Sequence, residues 1–230
     1  MKIKGLQKLT LLDYPGRLAA TVFLGGCNMR CPFCHNASLV VRPDNTEITE
    51  DELFAFLESR RGKLSGVCVT GGEPTLNREL PSFISKIRAL GYSVKLDTNG
   101  THPEMLESLI RDGLVDYVAM DIKNTKEKYA LTAGLDESFD ISTIERSIDV
   151  IMKKAPDYEF RTTVVRELHT PEDLVAISEW ITDAKNYFLQ KYVDSGDILV
   201  EGFSAYSDGE MLDILGKVRE KMPHTILRGV

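Results

Sequence analysis

The 230-residue chain has no apolar run near the roughly 18 residues that a membrane-crossing helix requires, and no basic segment leading into an apolar signal core. Those two absences point to a cytoplasmic protein with no membrane partner. Positive charge is also short: 28 Lys and Arg stand against 35 Asp and Glu, a formal charge of -7. That sign speaks against nucleic acid as a partner, because a polyanion is bound through clustered cations. No internal repeat, low-complexity tract or linker interrupts the sequence, so a single domain over residues 1–230 is expected. Cysteine is scarce as well. The chain holds only 4, while 43% hydrophobic residues are enough to fold around a core without disulfide staples.

Three of those cysteines nevertheless fall in one loop. The stretch GGCNMRCPFCHNA from Gly25 places Cys27, Cys31, Cys34 and His35 within nine positions. The fourth, Cys68, sits in the apolar run GVCVTGG and reads as a small core residue. In a reducing compartment, clustered thiols serve as metal ligands or catalytic groups rather than as disulfide partners. A structural zinc site needs four ligands, often from two cysteine pairs, and here the second pair is missing. CPFCH also satisfies the c-type haem pattern C-x-x-C-H, and CPFC the redox pattern C-x-x-C, but each leaves Cys27 without a role. The spacing of Cys27, Cys31 and Cys34 employs all three thiols. Three thiolates on one tight loop leave a single iron of a [4Fe–4S] cubane without a protein ligand, and an open iron is a site for chemistry.

Elsewhere, short β-branched runs alternate with segments of helical period. Strands are expected at ATVFLG from Ala20, GVCVT from Gly66, SVKLDT from Ser93, DYVAMDI from Asp116, YEFRTTVV from Tyr158 and NYFLQKY from Asn186. Helices are expected near 49–60, 78–90, 103–112, 141–154 and 171–183, with start signals in TEDE at Thr49, HPEM at His102 and TPED at Thr170. Crossovers this long join parallel strands, which gives an α/β fold, either a doubly wound sheet or a full or partial (β/α) barrel. The core covers about residues 18–195. KIKGLQKLTLLDYPG is expected to form an N-terminal hairpin within residues 1–17, and a last helix near 208–221 with the tail TILRGV forms a helix/strand extension over 196–230. In either architecture, chemistry gathers at the C-terminal ends of parallel strands. The cysteine loop follows the first strand, TGGEP the second, DTNG the third and DIK the fourth, while Arg161 lies within the fifth.

The cysteine spacing after a first strand, joined to TGGEP at Thr70–Pro74 after the second, resembles the signature of the radical S-adenosylmethionine superfamily. That resemblance implies a partial (β/α)6 barrel of TIM type, with a [4Fe–4S] cluster on Cys27, Cys31 and Cys34. It also implies S-adenosylmethionine chelated at the open iron and cleaved by one electron to a 5'-deoxyadenosyl radical. Gly71 and Gly72 would let backbone approach the ligand's ammonium, with Glu73 beside it, and Phe33 would pack near the adenine. DYPG with Gly16, CHN at Cys34–Asn36, DTNG at Asp97–Gly100 and DIK at Asp121–Lys123 narrow the resemblance to the glycyl-radical-enzyme activases. DIKNTKEKYALTAG is similar to the branch of anaerobic ribonucleoside-triphosphate reductase activating proteins. The resemblance runs from about residue 10 to about residue 190 and fades toward the C-terminus.

In activases the positions matching Asp121 and Lys123 lie near the cofactor and the entering glycine loop, which makes them the catalytic candidates. Asp97 and Asn99 join the cofactor-binding set, and Asp97 with Asp121 can hold a cation. Arg161, in an otherwise apolar strand, needs a buried partner, either a cofactor carboxylate or a structural one. His35 either donates to a cluster sulfide or a carbonyl, or is a passive surface residue. His102, His169 and His224 are assigned no chemistry.

The implied function is abstraction of hydrogen from a glycine of a large glycyl-radical enzyme, with anaerobic ribonucleotide reductase favoured. Lys123, Lys126 and Lys128 are expected on the loop facing that partner. Many activases carry an inserted ferredoxin-like segment, but here HNASLVVRPDNTEI leads directly into the first helix, so one cluster is expected. The electron then comes from an external low-potential donor such as flavodoxin or ferredoxin. Two alternatives stand beside this reading. One is a radical S-adenosylmethionine enzyme acting on a small molecule, such as a deazapurine-forming synthase. The other is a non-catalytic iron–sulfur redox protein, which would need neither TGGEP nor DIK.

Overall fold

The computed structural model describes residues 1–41 and 48–230. Its strands form one sheet in sequence order. They are β1 (Ile3–Thr10), β2 (Ala19–Leu24), β3 (Gly66–Gly71), β4 (Ser93–Thr98), β5 (Tyr117–Asp121), β6 (Tyr158–Val164), β7 (Tyr187–Lys191) and β8 (Ile226–Arg228). From β3 onward each strand is parallel to its predecessor, and β1 is antiparallel to β2. Each parallel step needs a long return path, and helices supply most of it. The first and last strands are not neighbours, so the sheet stays open. The result is an α/β partial barrel in which β2–β7 are the six core strands and β8 extends the sheet.

The helices are α1 (Ala37–Val41), α2 (Glu50–Ser59), α3 (Leu80–Ala89), α4 (Pro103–Arg111), α5 (Tyr129–Ala133), α6 (Ser142–Lys154), α7 (Pro171–Trp180) and α8 (Asp208–Arg219). Reciprocal capping boxes start α2 (Thr49 with Glu52), α7 (Thr170 with Asp173) and α8 (Ser207 with Glu210). Proline rather than a side-chain cap opens α4, since His102 makes no capping hydrogen bond. The segments α1 and α5 have five residues each, too short to display an amphipathic repeat, and periodicity does not reveal them. Part of the stretch expected to run straight into the first helix, residues 42–47, lies outside the described residues.

The N-terminal hairpin differs from the expected one. It does not close within residues 1–17; β1 pairs with β2 itself, with Thr10 opposite Ala19 and Ile3 opposite Leu24. The intervening turn, where Gly16 takes φ 69° and Arg17 N–H donates to Tyr14 O at 3.1 Å, tucks Tyr14 under the barrel. Tyr14 is buried with its ring 6.0 Å from that of Tyr117, and together with Ala19 and Ala119 they form a small apolar floor.

The two faces of the sheet have opposite character, as period-2 alternation requires. Val67, Val69, Val94, Leu96, Val118 and Met120 face outward and pack with Leu53, Leu57, Ile84, Ile87, Leu106 and Leu109 of the helices. Full burial of each such side chain contributes about 1.5–3 kcal/mol. The inner face carries Cys68, Lys95 and Glu159, all buried, and above them Asp97, Asp121 and Arg161. Charge placed inside a barrel must be paired. Those pairings organise the site at the C-terminal rim.

Candidate functional site

A cavity of ≈ 250 Å³ opens at that rim. Cys27, Cys31, Cys34 and Phe33 line it from the loop after β2, Gly71 and Gly72 from the end of β3, and Asp97 and Asn99 from the end of β4. Asp121 and Lys123 reach it from the end of β5, and Arg161 from β6. All of the expected site residues except Glu73 therefore converge on one volume, although they come from five separate segments of the chain.

The cysteine loop is shaped by the glycine motif behind it. Gly72 N–H donates to Leu24 O at 2.8 Å, and Glu73 N–H donates to Gly26 O at 2.8 Å. A Cβ at Gly71, where φ is 119°, would lie 2.2 Å from Leu24 O, and one at Gly72 would lie 2.0 Å from Gly26 O. The paired glycines are thus required by the close approach of two backbones, independently of any ligand. Asn36 of CHN adds a third tie, with Nδ2 donating to Gly71 O at 3.3 Å. On the other side, Arg30 N–H donates to Ala133 O at 2.9 Å, and a Cβ at Gly134 would lie 2.3 Å from Arg30 O. The α5 segment and the glycine motif clasp the loop between them.

The Cys27 sulfur already receives donors. Met29 N–H points at Cys27 Sγ at 3.4 Å, and Asn99 Nδ2 lies 3.8 Å from the same atom. Burial pushes the Cys27 thiol up and the Cys31 thiol up to about 11, with the Lys123 ammonium opposing the shift at both. Among the described residues no group of three His, Cys, Asp or Glu side chains is placed to hold one metal ion. A cubane makes a different demand, since each thiolate binds a different iron.

Glu73 departs from its expected place beside the ligand. It is buried and faces into the protein, accepting from Asn99 N at 2.6 Å, Thr98 Oγ1 at 2.8 Å and Thr75 N at 3.0 Å. Burial raises its pKa, and the hydrogen bonds from Thr75, Asn99 and Thr98 act against that rise. It fastens the end of β4 to the glycine motif and does not line the cavity.

Arg161 joins the two aspartates. Its Nε donates to Asp121 Oδ1 at 2.9 Å and its Nη1 to Asp97 Oδ2 at 3.2 Å. Lys123 Nζ donates to Asp121 Oδ2 at 3.0 Å, and Lys95 pairs with Asp97. The cation between Asp97 and Asp121 is therefore the Arg161 guanidinium, the structural pairing of the two weighed for that residue. Burial alone would raise both carboxyls, but Arg161, with Lys95 at Asp97 and Lys123 at Asp121, outweighs it and holds both below the usual carboxylate range. Burial likewise disfavours the Lys123 cation, yet Asp121 keeps it firmly protonated.

Lys126 and Lys128, expected on the loop facing the partner, are both engaged by neighbouring helices. Lys126 pairs with Glu145 of α6 and lies over the Trp180 ring, and Lys128 Nζ pairs with Asp173 of α7 at 2.7 Å. Carboxylates of neighbouring helices outcompete solvent for them. His35 lines the cavity with its ring 5.4 Å from that of Tyr192. His169, to which the sequence assigns nothing, is completely buried, with Nδ1 accepting from Val165 N at 3.1 Å. That fixes the proton on Nε2, which donates to Lys123 O at 2.7 Å and steadies the DIK loop. Thr163 and Gln190 line the cavity side by side on β6 and β7 and are also new. The strand-end rule that singled out Arg161 could have found Thr163, two positions on and facing the same way.

The donor set suits the cofactors implied by the cysteine spacing. Three soft sulfur ligands on one loop match an iron–sulfur cluster with one open iron. Beside them, an ammonium at Lys123 and carboxylates at Asp97 and Asp121 can meet a zwitterionic ligand. Phe33, buried with its ring 6.5 Å from that of His169, offers an aromatic wall.

The sequence pattern of the Radical SAM superfamily matches residues 21–181. A protein of Methanocaldococcus jannaschii named as a glycyl-radical enzyme activating enzyme is 33% identical over 228 residues, covering 95% of this chain and 92% of its own. The pyruvate formate-lyase-activating enzyme of Listeria monocytogenes is 27% identical over 195 residues, covering 80% of this chain and 77% of its own. Among solved structures, Streptococcus suis SuiB bound to S-adenosylmethionine superposes with a TM-score of 0.68 at 13% identity, a likeness of fold. It covers 91% of this chain, which spans about half (52%) of the SuiB chain.

Proposed function

We propose, from the premise that this chain belongs to the Radical SAM superfamily, that it is the activase of a glycyl-radical enzyme. It is an enzyme whose cofactors are a [4Fe–4S] cluster and S-adenosylmethionine. When bound, these would supply the radical chemistry needed to abstract a hydrogen atom from a glycine Cα of the partner.

The chain's own residues prepare that event. Cys27, Cys31 and Cys34 would hold the cluster through three irons and leave the fourth to the cofactor. Lys123, kept cationic by Asp121, would face the cofactor's carboxylate, and Asp97 and Asp121 its ammonium. Asn99 and Phe33 complete the wall. The reading rests on a single juxtaposition, the three thiols in one cavity with the Asp121–Lys123 pair at the end of β5. Names carried by similar proteins support it: the M. jannaschii relative, named for glycyl-radical enzyme activation, spans nearly the whole chain, and the Listeria relative is named as the activating enzyme of pyruvate formate-lyase.

For the partner we favour anaerobic ribonucleotide reductase, on the resemblance of DIKNTKEKYALTAG. The electron would come from a cytoplasmic flavodoxin or ferredoxin. No helix among the described residues is long and apolar enough to cross a membrane. We read residues 1–230 as one domain, since a single sheet runs from β1 to β8.

The test is anaerobic incubation of the reconstituted protein with reductant, S-adenosylmethionine and the reductase, followed by electron paramagnetic resonance. A glycyl radical is expected, weakened in Lys123→Ala at unchanged cluster content. No radical with any glycyl-radical enzyme, together with faster cofactor cleavage in the presence of a purine-like small molecule, would establish the small-molecule alternative instead.

A further inference from the structure

The region matched by the superfamily pattern stops at residue 181, yet the last strand sends a charge into the barrel. β8 lies parallel on β7 with Arg228 opposite Gln190. The Arg228 guanidinium is stacked on the Phe188 ring at 3.4 Å from its centroid. From there it grips Glu159 of β6 with both ends of its fork, Nη1 to Oε1 at 3.0 Å and Nη2 to Oε2 at 2.8 Å. Planar, two-pronged contact of this kind fixes a carboxylate's orientation as a lysine could not.

Glu159 has a second suitor. Its side chain is 1% exposed, it accepts from Tyr117 OH at 3.0 Å, and Arg161 Nη1 stands 3.8 Å from its Oε1. Arg161 is the group that joins Asp97 and Asp121 at the cavity, so it stands between two demands, the aspartates above and Glu159 below. With Arg228 in place, both Glu159 oxygens are already satisfied by a cation. Without it, a buried carboxylate is left with one phenol and one nearby cation, and leaving a buried charge unpaired is strongly unfavourable. The nearest remedy is for Arg161 to close the 3.8 Å gap and release the aspartates.

We propose that Arg228 is a positioning residue for the cofactor site, acting through Glu159 to keep Arg161 on Asp97 and Asp121. This rests on reading the cavity as the S-adenosylmethionine site. The C-terminal strand thereby sets the charge arrangement at the cavity.

The experiment compares four reconstituted proteins: parent, Arg228→Met, Arg228→Lys, and the double variant Arg228→Met with Glu159→Gln. Each is assayed for iron and sulfide, and for S-adenosylmethionine affinity from the change that the cofactor produces in the electron paramagnetic resonance spectrum of the reduced cluster. Arg228→Met keeps the apolar cover on Phe188 and should bind S-adenosylmethionine about tenfold more weakly at unchanged iron content. Arg228→Lys should recover part of that loss. The double variant should recover most of it, because no unpaired carboxylate remains to draw Arg161 away. A purely structural role would make the double variant no better than the single one. Parent-like affinity in Arg228→Met, or a double variant as weak as Arg228→Met, overturns the inference while leaving the site reading intact. A parent protein that binds no S-adenosylmethionine overturns both.

Discussion

Replacing Gly72 with alanine asks what the paired glycines are for. A Cβ there would stand 2.0 Å from Gly26 O and 2.6 Å from Gly26 C, against the 3.0 Å below which real Cβ contacts essentially never fall. Both obstacles are backbone, so relief means moving the chain at Gly26 by about 1 Å. Gly26 O accepts from Glu73 N at 2.8 Å and Gly26 N–H donates to Leu39 O at 3.0 Å, so the shift breaks at least one of these hydrogen bonds. Overpacking costs about 1–3 kcal/mol, and a lost hydrogen bond adds about 0.5–1.5 kcal/mol. Together Gly72→Ala should lose about 2–4 kcal/mol, and for a chain of this size the melting temperature should fall by roughly 5–15 °C. The assay is a thermal melt of the cluster-free protein beside iron and sulfide content after anaerobic reconstitution. Iron should fall too, because Gly26 leads directly into Cys27. A variant with the parent's cluster-free melting temperature and full iron, deficient only in S-adenosylmethionine binding, would refute this reasoning. It would return the glycines to the role the sequence suggests, approach to the ligand.

Two further outcomes follow from the site. Cys27→Ala, Cys31→Ala and Cys34→Ala should each lose the cluster by iron and sulfide analysis, whereas Cys68→Ala should keep it, since Cys68 lies inside the barrel near Asp97 and Lys95, away from the loop. Arg161→Gln should change acid stability in the cluster-free protein. Asp97 and Asp121 sit below their unfolded values, so they contribute stability above about pH 4 that is lost as pH falls through the folded values. Removing the cation they share raises those values and takes away that acid-labile contribution, so the variant, less stable than the parent at neutral pH, should lose less melting temperature than the parent as pH falls below about 4. Equal slopes would show that Arg161 does not keep the pair ionised.

Much of the fold was readable from local chemistry. The β-branched runs at Ala20, Gly66, Ser93, Asp116, Tyr158 and Asn186 all became strands, and Thr49 and Thr170 cap the helices their sequence announces. A strand declares itself by alternation and a helix start by a side chain bonding its own backbone three residues on, and both signals are short-range. The rule that function gathers at parallel strand ends then brought the cysteines, Asp97, Asp121, Lys123 and Arg161 into one cavity. Side-chain partnership was hidden. Nothing in TGGEP says that Glu73 turns inward to Thr98 and Asn99, nor in the DIK segment that Lys126 and Lys128 are claimed by α6 and α7. Arg228 lies 69 residues from Glu159 in the chain and His169 lies 46 from Lys123, separations across which no periodicity speaks. By itself the sequence determined which elements form, their order and which loops carry the thiols. Only the tertiary structure decided how each buried charge is neutralised, because a charge is paired by whichever opposite charge the packed chain brings within about 4 Å, and that proximity exists only once the barrel has formed.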